Sequence, residues 1–303
     1  MKIGLPRGLM YAKYHTFAKT FLEELGAEVV VSPPTNKKIL DRGVRCCVDE
    51  ACLPIKIFYG HVDWLKDRCD ALLTPRLIGV RDKEYICPMF CGLIELISNN
   101  IPDLPPLIDA PVTSLEYGKL IKWAKQAGGF IQKDDTKIAL AFDRARKAQQ
   151  MEQIGYNEAG YPLKIALVGH VYNIYDQFIN MNVKKKLNEL GIGVMTYQQV
   201  DRGDIDAQIQ TLFKKPFWTF AGEYYGASVY ISKKGLADGI LYLSSFSCGI
   251  DSVMTELIQS EIGDFPFMVL KLDEHTGEAG FDTRIEAFSD MLKRRCEFGR
   301  HLS

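Results

Sequence analysis

The chain has 303 residues, of which 47% are hydrophobic and 25% charged, the make-up of a folded globular protein and not of a disordered one. Its 37 basic and 38 acidic residues leave a net charge of −1, which gives no footing for nucleic acid or an anionic membrane surface. At roughly 150 residues per domain two domains are expected, and a chain of this size needs no disulfides to stay folded.

Lys2-Ile3-Gly4-Leu5 reads as a short strand, residues 14–26 as a helix with apolar Phe17, Phe21, Leu22 and Leu25 and a closing Gly26, and Val29-Val30-Val31 as a buried strand. This is a βαβ unit, the building block of parallel sheets. Residues 102–111, PDLPPLIDAP, break regular structure repeatedly. Helical stretches at 114–127 and 147–154 follow, around the polar turn Lys133-Asp134-Asp135. The opening plan then returns: strand 164–168, a loop 169–176, a helix ending at Leu190-Gly191 and the strand Val194-Met195-Thr196. LEELGAEVVV at 22–31 aligns with LNELGIGVMT at 187–196. Strand 239–244, helix 252–262, buried strand 267–272 and a closing helix 284–298 complete the chain. The expectation is α/β: two Rossmann- or flavodoxin-like halves with parallel sheets, residues 1–110 and 161–303, joined by a helical connection at 111–160. No apolar leader opens the sequence and no run approaches the ~18 apolar residues of a membrane span, so a cytoplasmic protein is expected.

In a reducing compartment eight cysteines suggest metal or redox chemistry rather than disulfides. Three share a context. Cys52 precedes Leu53-Pro54 and a helical run, Cys87 precedes Pro88 and another, and Cys248 lies between strand GILYLSS and helix SVMTELIQSEI. Proline favours the first helical turn, so Cys52 and Cys87 read as helix-start residues. There the free N–H groups and positive dipole lower a thiol pKa and can hydrogen-bond cluster sulfides. Cys248 has the place beyond a strand's carboxyl end where ligands of open α/β sheets collect. Cys69 and Cys296 read as core thiols. Cys47 and Cys52 have the C-x4-C spacing of a plant-type ferredoxin without its next C-x2-C step. Cys87 and Cys91, four apart, share a helix face, and adjacent Cys46 and Cys47 point to opposite sides if the segment is extended.

The run CVDEACLPIKIFYGHVDWL resembles the C-x-P-x-K signature, with downstream G-H-V, of the 2-hydroxyacyl-CoA dehydratase-like family. It is more closely similar to stand-alone relatives of the domain fused to that family's ATP-dependent activases. IGLPRGLMYAKYHTFAKTFLEELGAEVV, EYICPMFCGLIE, LVGHVYNIYDQFINM, FSCGIDSVMTE and LDEHTGEAGFDTRIEAF extend the resemblance over almost the whole chain. It implies a 4Fe-4S cluster on three cysteines, at the positions of Cys52, Cys87 and Cys248, in the crevice between the halves, with one iron open. It also implies a separate ATP-dependent activase as electron donor. Some relatives carry a double-cubane cluster, for which Cys46, Cys47 and Cys91 would supply further thiols. A single cubane with Cys47 or Cys91 as candidate fourth ligand is favoured over use of all six. Cys46 and Cys47 can hardly both face one cluster, and Cys91 lies one turn inside its helix, away from the free N–H groups. No G-x-x-x-x-G-K-[ST] phosphate loop and no CoA-binding signature is present.

His61 could hydrogen-bond the cluster surroundings or be a buried structural histidine, and His170 and Tyr172 sit where a ligand would approach or cap their loop. Asp49 and Glu50 could move protons or be solvated. Asp273, Glu274, His275 and Arg284 could serve a substrate or partner or cap a helix, and Lys184-Lys185-Lys186 reads as a solvated helix face. The function expected is an iron–sulfur redox protein that accepts low-potential electrons and passes them to a small substrate or protein. The alternatives are a non-catalytic cluster carrier or assembly protein, and a flavodoxin-like module binding phosphate at loop 6–11. A homodimer stays open; nucleic acid and membrane are not expected partners.

Overall fold

The computed structural model describes residues 1–81 and 84–301, which divide into two compact units: Met1–Gln153 with Phe217–Thr219, and Ile154–Pro216 with the chain from Phe220 on. The first unit opens with β1 (Lys2–Leu5), α1 (Tyr11–Glu24), β2 (Glu28–Val31), α2 (Lys37–Cys46) and α3 (Leu53–Leu65). It continues through β3 (Ala71–Leu73), β4 (Arg76–Leu77), α4 (Pro88–Cys91), α5 (Leu93–Asn100), β5 (Leu107–Ile108) and β6 (Pro111–Val112), and closes with α6 (Tyr117–Gly128) and α7 (Asp135–Met151). Strands β2-β1-β3-β5 form a sheet that is parallel throughout. Beyond the Thr74-Pro75 step, β4 and β6 pair as a two-stranded parallel extension.

The second unit contains β7 (Leu163–Gly169), α8 (Val171–Tyr175), α9 (Val183–Glu189), β8 (Ile192–Thr196), α10 (Arg202–Ile209), α11 (Thr219–Lys234, entering from the first unit's last residue), β9 (Gly239–Ser245), α12 (Gly249–Ile262), β10 (Phe267–Leu272) and α13 (Glu278–His301). Its sheet, β10-β9-β7-β8, is also entirely parallel. Both sheets thus place the first strand between the second and third. The aligned segments fall on equivalent elements, and Gly26 (φ 86°) and Gly191 (φ 78°) each take the left-handed turn that ends the helix and starts the second strand.

Several boundaries differ from expectation. The helix expected at 147–154 begins at Asp135, where the Asp134 carboxylate accepts hydrogen bonds from Thr136 and Lys137 backbone N–H groups. It packs on α1: the Phe17 and Phe142 rings meet edge-on at 5.8 Å, and the Gln149 side chain bonds the α1 backbone at Phe17 and Lys13. The helix after Cys87 is interrupted at Gly92, so Cys91 ends α4 and does not lie within a long helix. The lysine run is not a merely solvated face. Lys184 pairs with Glu158, Lys185 with Glu189, and Lys186 with both Glu278 and Asp282. Among the described residues no helix is long and apolar enough to cross a membrane.

The closest packing in the first unit is between α2 and α3. A Cβ on Gly43 would lie 1.7 Å from the Lys56 carbonyl oxygen, and one on Gly60 1.9 Å from that of Ile39. Only glycine at both positions lets the two backbones touch. Arg42 of α2 reinforces the pair by donating to the Asp63 carboxylate of α3 at 2.7 Å. We expect Gly43→Ala and Gly60→Ala each to destabilise the protein by at least about 2 kcal/mol, read from denaturant midpoints.

His61, fully buried in α3, bonds Thr35 Oγ1 through Nε2 at 3.1 Å. Burial, with the nearby Arg7 charge, holds its pKa down at about 3. The folded protein therefore keeps His61 neutral where the unfolded chain binds a proton. Stability should fall as pH drops from about 6.5 towards 3, by up to about 1.4 kcal/mol per pH unit from this group. Urea titrations of His61→Gln should show a flatter dependence across that window.

Candidate functional site

The geometry that brings cysteines forward in the first unit follows from α3 and α4. Cys52 is the residue before α3, with Pro54 in its first turn, and its carbonyl accepts from the Ile55 and Lys56 N–H groups. Cys87 stands before α4, which Pro88 opens. The loop between α2 and α3 is pinned from below: Lys56, 3% exposed, donates through Nζ to the Asp49 carbonyl at 2.8 Å. The approach to Cys87 is pinned by residues 217–219. Tyr85 N–H donates to the Phe217 carbonyl, Thr219 N–H donates to the Tyr85 carbonyl, both at 3.0 Å, and the Tyr85 and Phe217 rings stack at 4.6 Å.

These constraints put Cys52 in one environment with Cys87 and Cys47. Burial pushes the Cys52 thiol up to about 11; a hydrogen bond from the Ile55 backbone opposes this, and the neighbouring Cys87 and Cys47 push it further. The expectation that a helix start lowers this thiol's pKa is therefore corrected, because desolvation exceeds the helix-end effect. A thiolate here gains stability only beside a compensating positive charge, as a metal supplies. Cys46 is not in an extended segment but ends α2, and burial and the Asp63 charge raise its pKa. Cys91 Sγ contacts the Leu77 carbonyl at 3.8 Å and lies near Arg76. Cys69 Sγ donates to the Leu65 carbonyl at 3.2 Å, and Cys296 is half-buried on α13. Asp49 and Glu50 are exposed on the loop. His61, engaged with Thr35, serves the packing of α3.

Cys248 belongs to the second unit, where it precedes α12 just beyond the carboxyl end of β9. His170 follows the carboxyl end of the adjacent strand β7. Their neighbour is Asp251, 1% exposed, in the first turn of α12. One ligand atom from each of the three lies within 4.8 Å of the others, so the group could hold a metal ion. His170 Nε2 is 3.4 Å from Asp251 Oδ1, its Nδ1 bonds Tyr224 hydroxyl at 3.0 Å, and Tyr242 hydroxyl donates to the same Asp251 oxygen at 2.9 Å. Tyr172 stacks on the imidazole at 4.8 Å. Burial alone would lower the His170 pKa, but the Asp251 carboxylate, helped by Cys248, raises it to about 9. Burial likewise works against ionised Asp251, and His170 outweighs it. Sequence reasoning missed Asp251. Its signal was an acidic residue three after a helix-start cysteine, in register with apolar Met254 and Ile258. Asp273 bonds His275 N–H and Thr276 hydroxyl within its own turn, and Arg284 donates to the Val269 carbonyl.

A family model described as CoA enzyme activase uncharacterised domain matches residues 2–200. The chain belongs to that family. No curated protein matches it. The family match includes Cys47, Cys52, Cys87 and His170 and ends before Cys248 and Asp251.

The His170–Asp251 pair gives a direct expectation for stability. Asp251→Ala removes the charge that keeps buried His170 protonated, so the imidazole should lose its proton at pH 7 and the metal-free protein should be destabilised by about 3 kcal/mol in denaturant unfolding.

Proposed function

We propose that this member of the CoA enzyme activase family is an iron–sulfur redox protein of the 2-hydroxyacyl-CoA dehydratase type. What supports the reading is the setting of Cys52 at the start of α3, where burial raises its thiol pKa and the neighbouring Cys87 and Cys47 raise it further, so that a thiolate there needs a positive charge beside it. The ligands assigned are Cys52 and Cys87 from the first unit and Cys248 from the second. Cys47, beside Cys52, is a better candidate for a fourth position than Cys91, whose sulfur faces Leu77 and Arg76. A 4Fe-4S cluster would supply one-electron storage at low potential. The chain's own residues hold the thiols in place: Lys56 fixes the Cys47–Cys52 loop, and the 217–219 segment fixes the approach to Cys87. The electron is assigned to a separate ATP-dependent activase, since this sequence has no Walker-type phosphate loop. The acceptor is a small substrate or a protein partner.

Anaerobically purified protein is expected to contain about four irons per chain with matching acid-labile sulfide, against about eight for a double cubane. Cys52→Ser, Cys87→Ser and Cys248→Ser should each reduce bound iron severalfold, whereas Cys69→Ser and Cys296→Ser should leave it unchanged. Full iron and sulfide in the Cys52→Ser protein would sink the assignment. Reduction of the cluster by a purified activase with ATP separates a redox role from that of a cluster carrier. The His170–Cys248–Asp251 group favours a second reading, a single metal ion held within the second unit. Metal without labile sulfide, retained in Cys52→Ser and lost in Asp251→Asn, would select it.

A further inference from the structure

The first unit encloses a cavity of about 460 Å³, within the size range of small-molecule sites. It opens at the carboxyl ends of β1 and β3, where Leu5, Leu73 and Thr74 line it. That is where strand order reverses, the place at which open parallel sheets receive ligands. Phe17, Phe58, Phe90 and Trp123 give the wall its aromatic part, beside leucines such as Leu73 and Leu93. Among the polar groups that line it, which include Tyr11, His15 and Gln149, two set it apart from a packing defect. Thr74 is 1% exposed, and its hydroxyl has no hydrogen-bond partner among the described residues. An orphaned hydroxyl on an apolar wall is unfavourable unless something in the cavity meets it. The second is Arg146 of α7, which lines the cavity with its guanidinium 4.8 Å from the Tyr117 ring centroid and has no carboxylate partner among the described residues. No acidic side chain is among the lining residues.

We propose that this cavity binds a long-chain carboxylate, its alkyl body against the aromatic wall and its head group on Arg146. The chemistry follows from the lining. The walls accept an apolar chain and offer little to a polar body. A planar, permanently charged guanidinium without a partner selects an anion with paired oxygens. Tyr117 holds the guanidinium by its ring face, which leaves the N–H edge available for such a head. None of the cysteines lines the cavity, so the proposal stands apart from the cluster assignment and can be tested on metal-free protein.

Titration calorimetry of the full chain with dodecanoate, below its micellar range, tests it, with dodecyltrimethylammonium as the opposite-charge probe of equal chain length. Dodecanoate should bind at one site per chain and the ammonium compound should not. Arg146→Gln should weaken dodecanoate binding at least about tenfold, and Ala18→Phe, which fills the cavity from α1, should abolish it. Thermal unfolding of each variant checks that the fold is intact. Equal binding of both probes, no binding by the wild type, or unchanged affinity in folded Ala18→Phe protein would each overturn the proposal.

Discussion

In each unit the first strand is hydrogen-bonded on one side to the second and on the other to the third, so the chain must cross the sheet in opposite directions from a single strand. That reversal opens the carboxyl ends of the two central strands, because the helices that follow them turn to opposite faces. The other notable features follow from it. In the first unit Leu5 and Thr74 reach the opening and an apolar cavity forms there. In the second, His170 and Cys248 reach the corresponding opening and an ionised polar cluster forms instead. One topology, used twice, presents two different chemistries.

The balance at Cys52 shows how local and tertiary effects compete. A residue at a helix start is offered backbone N–H groups that favour a negative sulfur. Burial and two neighbouring thiols act the other way and prevail. The second unit solves a comparable problem differently: the cost of burying Asp251 is offset by His170, whose ring is held by Tyr224 and Tyr172. A charge supplied from within the protein suffices there, whereas at Cys52 backbone N–H groups oppose the burial and do not outweigh it.

How much of this was legible in the sequence depended on how far the causes lay along the chain. Strand Phe267–Leu272 was readable from the apolar run Phe267–Leu270, and the βαβ repeat from matched helix-ending glycines. The helix-start placement of Cys52, Cys87 and Cys248 was readable because proline or a strand–turn–helix pattern stands beside each. The two-residue strands β4, β5 and β6 have no pattern long enough to see, and α10, with its polar RGDIDAQI, gives a weak apolar face. Most of α7 was missed although Ile138, Ala141, Phe142 and Ala145 follow helical spacing, because the polar turn before it was given too much length. The partnership of Asp251 with His170 was illegible for a deeper reason. It depends on β7 and β9 being neighbours, and the residues that make them so are spread over the sheet.

The return of Phe217–Thr219 to Tyr85 has a consequence for biosynthesis. Domains ordinarily fold as they emerge, the N-terminal one first. Here the backbone N–H and carbonyl of Tyr85, two residues before Cys87, bond Phe217 and Thr219, which are translated long after the rest of their own unit. The ribosome must therefore release both of the second unit's first two strands, β7 and β8, before those hydrogen bonds can form. The first unit thus cannot reach its final hydrogen bonding as an isolated N-terminal fragment, and its completion is coupled to synthesis of the second.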